Sequence, residues 1–249
     1  MGENPVTGRP LVVIPTYNEA GNILGLLEEV LSLPEAFDVL VVDDASPDAT
    51  ASLVKEARQK QNKNGDHIHL IERPEKLGLG SAYCEGFRWA LERNYSIICQ
   101  MDADFSHAPS DLSRLVKELE SFDLVLGTRY MPDGGTIGWS WYRRVLSRGA
   151  SIFAKVLTGV PVRDLTGGFK GYRKEALLVL DLSRIRSAGY TFQIETTAYV
   201  HRKKFRIKEI PILFRERVSG KSKISSVRTI VQTVWLVLRL FAERIKPVG

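Results

Sequence analysis

Cysteine is scarce. The chain carries two in 249 residues, Cys84 and Cys99. Each sits in an apolar context and they form no C-x-x-C pair, which excludes a disulfide framework and a thiolate metal site and fits a reducing compartment. Long apolar runs are missing too. The stretch from Ile230 to Ala242 is interrupted by Gln232, Thr233 and Arg239 and falls short of the ~20 residues that span a bilayer. The polar first ten residues lead directly into a strand, so no secretory leader is expected, and the reading is of a protein that stays in the cytoplasm. There is no internal repeat or low-complexity tract. The linker-like segment Lys60 to Asp66 reads as a surface loop.

A hydrophobic content of 44% lets a chain of this length bury a full core. The division expected is a catalytic domain over residues 1–224 and a C-terminal amphipathic helix over 225–249, packed on the domain or on a membrane surface. The net charge of +6 conceals an asymmetry: residues 1–128 hold 11 Lys+Arg against 21 Asp+Glu, whereas residues 129–249 hold 24 against 8. A basic half of that size commonly meets phosphate, whether of nucleic acid, of an anionic membrane or of a phosphorylated substrate.

The first half alternates strand-like and helix-like segments. Strands are expected at Leu11–Ile14, Asp38–Val42, His67–Ile71, Ser96–Met101 and Leu124–Leu126, with helices near 20–31, 49–60, 81–93 and 110–120. This is the spacing of βαβ units and argues for an α/β fold with a Rossmann-like, mostly parallel sheet covered by helices. Ligands of such sheets gather beyond the carboxyl ends of the strands. Farther on, residues 131–141, with glycines and two tryptophans, read as a mobile loop with something apolar to cover. Helices are expected over 143–157, 192–202 and 225–245, and a strand over 207–214.

The polar residues cluster at the strand ends. Asp102 and Asp104 follow the fourth strand, and alternation along a strand puts both on one side with Ala103 opposed. Two carboxylates side by side suit Mg²⁺ or Mn²⁺ and leave coordination positions open for phosphate oxygens. A lone D-x-D fits a solvated turn equally well, so its neighbours decide. They are Pro15–Glu19 (PTYNE) after the first strand, Val41–Asp48 (VVDDASPD) after the second, and Arg129 after the fifth. Gly78-Leu-Gly80 is no dinucleotide fingerprint, because Tyr83 stands where the third glycine belongs. His67 and His69 alternate along a strand and read as a half-exposed pair; His107, close to Asp104, invites more attention.

These motifs, with Lys76–Ala82 (KLGLGSA), Gly127–Tyr130 (GTRY), Asp164–Phe169 (DLTGGF) and Arg217–Lys223 (RVSGKSK), resemble the family 2 glycosyltransferases of GT-A fold. The match in order from Leu11 to Lys223 is closest to the dolichol-phosphate (polyprenol-phosphate) mannosyltransferase group. The resemblance implies transfer of mannose, with inversion, from GDP-mannose to dolichyl or polyprenyl phosphate at the cytoplasmic face of a membrane. Some relatives recruit a small membrane subunit. It also implies that Pro15, Tyr17, Glu19, Val42 and Asp44 line a nucleoside pocket, and that Asp102, Ala103 and Asp104 take metal and diphosphate. Arg129, Arg217 and Lys223 would bind donor phosphates, and Arg143 is a further candidate for donor or acceptor phosphate.

The residue types suit that chemistry. Cleaving a sugar–phosphate bond leaves negative charge on the nucleotide, and one opposite charge at 4 Å is worth about 4 kcal/mol at an effective dielectric of 20. A lipid phosphate is already anionic and needs no general base, so none is assigned. Two rivals stand beside this reading. A same-fold enzyme using another nucleotide sugar, such as UDP-glucose, stays open because one pocket aspartate does not fix the base. A basic nucleic-acid-binding module is disfavoured by the carboxylate rim and by the lack of an aromatic stacking ladder, so no nucleic-acid partner is expected.

Overall fold

The computed structural model describes residues 8–61, 66–183, 185, 189–216 and 227–245. In chain order the elements are β1 (Leu11–Thr16), α1 (Ile23–Leu31), β2 (Asp38–Asp43), α2 (Thr50–Gln61), β3 (Ile68–Glu72), α3 (Leu79–Glu92), β4 (Ile97–Gln100), α4 (Asp111–Glu118) and β5 (Leu124–Thr128). There follow β6 (Gly135–Ile137), α5 (Trp141–Thr158), β7 (Lys170–Arg173), α6 (Lys174–Leu178), α7 (Tyr190–Arg202), β8 (Ile207–Pro211), β9 (Leu213–Arg215) and α8 (Val227–Ile245).

Seven strands form one sheet in the order β3-β2-β1-β4-β7-β5-β8. The expected alternation is present and its register follows from side-chain periodicity. Along β1, Leu11 and Val13 enter the core on the side of α3, α7 and α8, while Val12 and Ile14 enter the core against α1, α2 and α4. A strand buried on both faces has no polar side to offer, which is why β1 and β2 are nearly continuous aliphatic runs.

Three features depart from the sequence reading. The turn-rich stretch after Asp164 contains β7, which runs antiparallel to both β4 and β5. Its four residues, KGYR, carry no alternating pattern, and its Lys170 is buried. The strand expected over 207–214 is two strands: β8 pairs with β5, and β9 pairs with β6 in a separate two-stranded sheet. The break falls at Ile212, whose N–H donates to Thr128 O at 3.0 Å while its carbonyl accepts from Gly135 N at 3.0 Å. Finally, the segment read as a mobile loop contains β6 and places Trp139 in the interior.

Candidate active site

The parallel strands β1, β2, β4 and β5 end at one rim, and β7, being reversed, begins there. Over this rim opens a cavity of about 390 Å³. Of the residues expected from sequence, Pro15, Tyr17, Glu19, Asp44, Asp102, Ala103, Asp104, Arg129 and Arg143 all line it. Val42 does not. Its side chain is wholly buried with Val13, Leu40 and Ala82, because alternation along β2 turns it into the core. Arg217 and Lys223 lie outside the described residues.

Asp102 and Asp104 follow β4 rather than extend it, since the strand stops at Gln100. Each is oriented by a protein donor. The Tyr83 hydroxyl donates to Asp102 Oδ1 at 3.3 Å, and the Ser106 N–H donates to Asp104 Oδ1 at 3.0 Å. Tyr83 is fully buried, and burial, reinforced by the charge of Asp102, pushes its phenol well above the usual range and keeps it a neutral donor. Among the described residues no cluster of three or more His, Cys, Asp or Glu is arranged to hold a metal. A divalent ion here would take the two carboxylates and fill its remaining positions from substrate or water. Hard oxygen donors of this number suit Mg²⁺ or Mn²⁺ bound together with a diphosphate.

At another part of the cavity, Asp44 closes the loop before α3. Its carboxylate accepts from Arg73 Nη1 at 2.8 Å and from the N–H groups of Leu77 at 2.9 Å and Gly78 at 2.7 Å. The same loop lays Lys76 Nζ over the Tyr17 ring, 3.3 Å from its centroid. Glu19 Oε2 accepts from Asn22 Nδ2 at 2.8 Å, and the Glu19 N–H donates to Thr50 Oγ1 at 3.0 Å.

The opposite wall is cationic. Arg129 reaches the cavity with Nε donating to Asp164 Oδ2 at 2.6 Å and Nη2 donating to Asp164 Oδ1 at 2.7 Å. Arg143 Nη1 donates to Glu216 Oε1 at 2.7 Å, and its guanidinium stacks on Trp139 at 4.0 Å. The third wall is Thr166–Gly168, backed by a buried amide chain: Gln100 Nε2 donates to Gly168 O at 2.7 Å and to Gln193 Oε1 at 2.8 Å.

His107 does not enter the cavity; it is buried between Phe169 and Phe214, and burial lowers its pKa. His67 pairs with Asp38 at 2.9 Å, and His69 packs on Trp89. Sequence reasoning missed Tyr83, Trp139, Thr166 and Gln193. Trp139 had a signal in its apolar character, and Thr166 in its motif, whereas the contacts of Tyr83 and Gln193 appear only on folding.

The arrangement of paired carboxylates and guanidinium groups around one cavity fits a transferase acting on an activated sugar. The chain matches glycosyl transferase family 2 over residues 11–180, and it belongs to that family. It is a glycosyltransferase. Polyprenol monophosphomannose synthase of Mycolicibacterium smegmatis is 44% identical to it over 229 residues, 90% of this chain and 85% of that protein. Undecaprenyl-phosphate mannosyltransferase of Micrococcus luteus is 42% identical over 220 residues, 87% and 88% of the two chains.

Among solved structures, glucosyl-3-phosphoglycerate synthase of Mycobacterium tuberculosis in complex with Mn²⁺, UDP and glucosyl-3-phosphoglycerate has a TM-score of 0.66 at 18% identity, covering 97% of this chain and 82% of its own. Mannosyltransferase PcManGT of Pyrobaculum calidifontis, in complex with GDP-Man and Mn²⁺, has a TM-score of 0.59 at 22% identity, covering 97% and 65%. At these identities the likeness establishes the GT-A fold.

Proposed function

We propose that the protein transfers mannose from GDP-mannose to the phosphate of a dolichyl or polyprenyl lipid, with inversion at the anomeric carbon. A lipid phosphate oxygen forms the new bond to that carbon as the bond to the nucleotide's β-phosphate breaks, and GDP leaves with the electron pair. The observation that carries this reading is the convergence on one cavity of the paired carboxylates Asp102 and Asp104 with the guanidinium groups of Arg129 and Arg143. The names of the two relatives supply the sugar and the lipid class.

In this reading Asp102 and Asp104 hold Mg²⁺ or Mn²⁺, which neutralises charge on the departing diphosphate when bound. Tyr83 and the Ser106 amide keep those carboxylates aimed. Asp44, Tyr17 and Lys76 shape the nucleoside end. Arg143 offsets the charge of an incoming phosphate, and Arg217 and Lys223 are assigned to the donor phosphates. The acceptor is anionic at neutral pH, so its attack requires positioning and charge neutralisation rather than proton removal.

The lipid acceptor places the work at a membrane surface, and we assign it to the cytoplasmic face. No helix among the described residues is long and apolar enough to cross a bilayer. α5 and α8 pack side by side and present Trp141, Val145, Val156, Val231 and Trp235 to solvent, with Trp141 75% and Trp235 65% exposed. α5 contains four cations and no acid. Such a face suits an anionic surface, and it borders the cavity through Arg143.

The test is transfer of radiolabelled mannose from GDP-mannose to undecaprenyl phosphate, with and without chelator, beside UDP-glucose as donor. Chelator-sensitive labelling of the lipid from GDP-mannose supports the reading. No labelling from GDP-mannose, or faster labelling from UDP-glucose, overturns it.

A further inference from the structure

The guanidinium wall contains two buried donors that face no acceptor. Trp139 Nε1 and Arg143 Nε are both buried and, among the described residues, have no hydrogen-bond partner. They are neighbours: the Arg143 guanidinium lies 4.0 Å from the Trp139 ring centroid. Their positions are fixed from behind. Phe214 packs edge-on against the indole at 5.3 Å, and the Arg129 guanidinium lies 5.1 Å from the same ring. Glu216 holds the far edge of Arg143 through Nη1. The pairing of β6 with β9 brings these groups together, because Trp139 follows one strand and Glu216 the other.

Buried N–H groups are nearly always satisfied, and a side-chain donor left unpaired in a well-packed wall points to a ligand atom that completes it. Indole and guanidinium nitrogens donate and never accept. Two such donors beside a second guanidinium select an oxygen that accepts and carries negative charge. Both residues line the cavity assigned to the phosphate chemistry.

We propose that Trp139 is a phosphate-binding residue, its indole N–H and the Arg143 Nε–H together holding one phosphate oxygen of a substrate. The identity of that substrate rests on the function proposed above; the need for an anionic oxygen does not. The oxygen belongs either to the lipid phosphate or to the donor diphosphate, and the two arms of the test separate them.

Trp139→Phe keeps an aromatic ring beneath Arg143 and deletes the donor. The expected result is a KM for undecaprenyl phosphate raised about 10-fold, the worth of one charge-assisted hydrogen bond, with the KM for GDP-mannose within about twofold. The reverse pattern assigns the oxygen to the diphosphate and also supports the proposal. Unchanged KM for both overturns it, as does an equal loss in kcat with both KM values unchanged.

A second measurement depends neither on turnover nor on the folding of the variant. In wild-type protein labelled with ¹⁵N-tryptophan, the Trp139 indole resonance, identified by mutating the other three tryptophans singly to Phe, should move downfield on saturation with citronellyl phosphate or inorganic pyrophosphate. A shift without mannose transfer keeps the phosphate site and removes the proposed reaction. An indole signal unmoved by either anion removes the phosphate site.

Discussion

Arg129 is clasped side-on by Asp164 in the interior: Nε and Nη2 donate to the two carboxylate oxygens at 2.6 and 2.7 Å, and Thr166 Oγ1 accepts from Nη2 at 2.9 Å. The side chains are 4% and 0% exposed. Burial alone would raise the Asp164 pKa, but the Arg129 charge and its hydrogen bonds outweigh it and hold the carboxyl below the ordinary range. Arg129 is therefore a structural cation before it meets any substrate.

Asp164→Asn should lower unfolding free energy by about 3 kcal/mol, because it leaves a buried guanidinium without its counter-charge. The pH dependence has a definite sign. A depressed native pKa gives stability that is complete above the unfolded value near 3.9 and is lost as pH falls through the native value. Urea denaturation between about pH 3 and 7 should show a steeper acid loss in the wild type than in Asp164→Asn; parallel curves would count against the pair.

Asp102→Asn and Asp104→Asn should each reduce mannose transfer by at least about 100-fold while the circular dichroism spectrum stays unchanged. Tyr83→Phe removes the donor that aims Asp102, so a smaller fall, about 3- to 10-fold, is expected. Initial rates at saturating Mn²⁺ check both. Full wild-type rates in Asp102→Asn would remove the carboxylate pair from the mechanism.

Lys170 is fully buried, its Nζ donating to Gln193 O at 2.8 Å and to Thr197 Oγ1 at 2.9 Å. Burial lowers its pKa well below the usual value, against the pull of Asp164. The folded state thus binds fewer protons than the unfolded one between that native value and about 10.4, and this residue's contribution to stability rises with pH across the interval. Lys170→Met should abolish that rise, read as the wild-type-minus-variant difference in unfolding free energy from about pH 7 to 10. A flat difference would mean that the lysine keeps an ordinary pKa.

The exposed apolar face of α5 and α8 gives a prediction independent of catalysis. Trp141→Glu with Trp235→Glu should weaken binding to vesicles containing about 30% anionic lipid by at least about 10-fold, since each indole leaving the interface forfeits well over 1 kcal/mol of apolar burial. Co-sedimentation measures it. Equal pelleting of wild type and variant would move the membrane contact elsewhere.

Local pattern carried much of the architecture. β1 and β2 are legible because every residue in them is buried and the hydrophobic run therefore has no gap. Asp102 and Asp104 are legible because a strand end and two acids are both local features. β7 is not, because KGYR becomes a strand only when Cys99 and Val125 flank Gly171. A side chain there would be crowded, with an added Cβ 2.8 Å from Leu119 Cδ1. The amide chain from Gln193 through Gln100 to Gly168 links residues 93 and 68 positions apart, and no periodicity encodes such a meeting. Val42 is implied for the pocket by the family resemblance, whereas β2 is buried along its whole length and leaves its side chain in the core.

The reversal of β7 has a consequence for how this enzyme could diversify. Its neighbours in the sheet contribute their trailing loops to the reaction chamber, but β7 contributes its leading one, Thr166–Gly168, and hands the chain out at the opposite pole. Because Gln100 holds the Gly168 carbonyl and a Cβ added at Gly168 would lie 3.7 Å from Asp102 Oδ2, rebuilding that wall would disturb the paired carboxylates, so variation is expected in the trailing loops of the other strands instead.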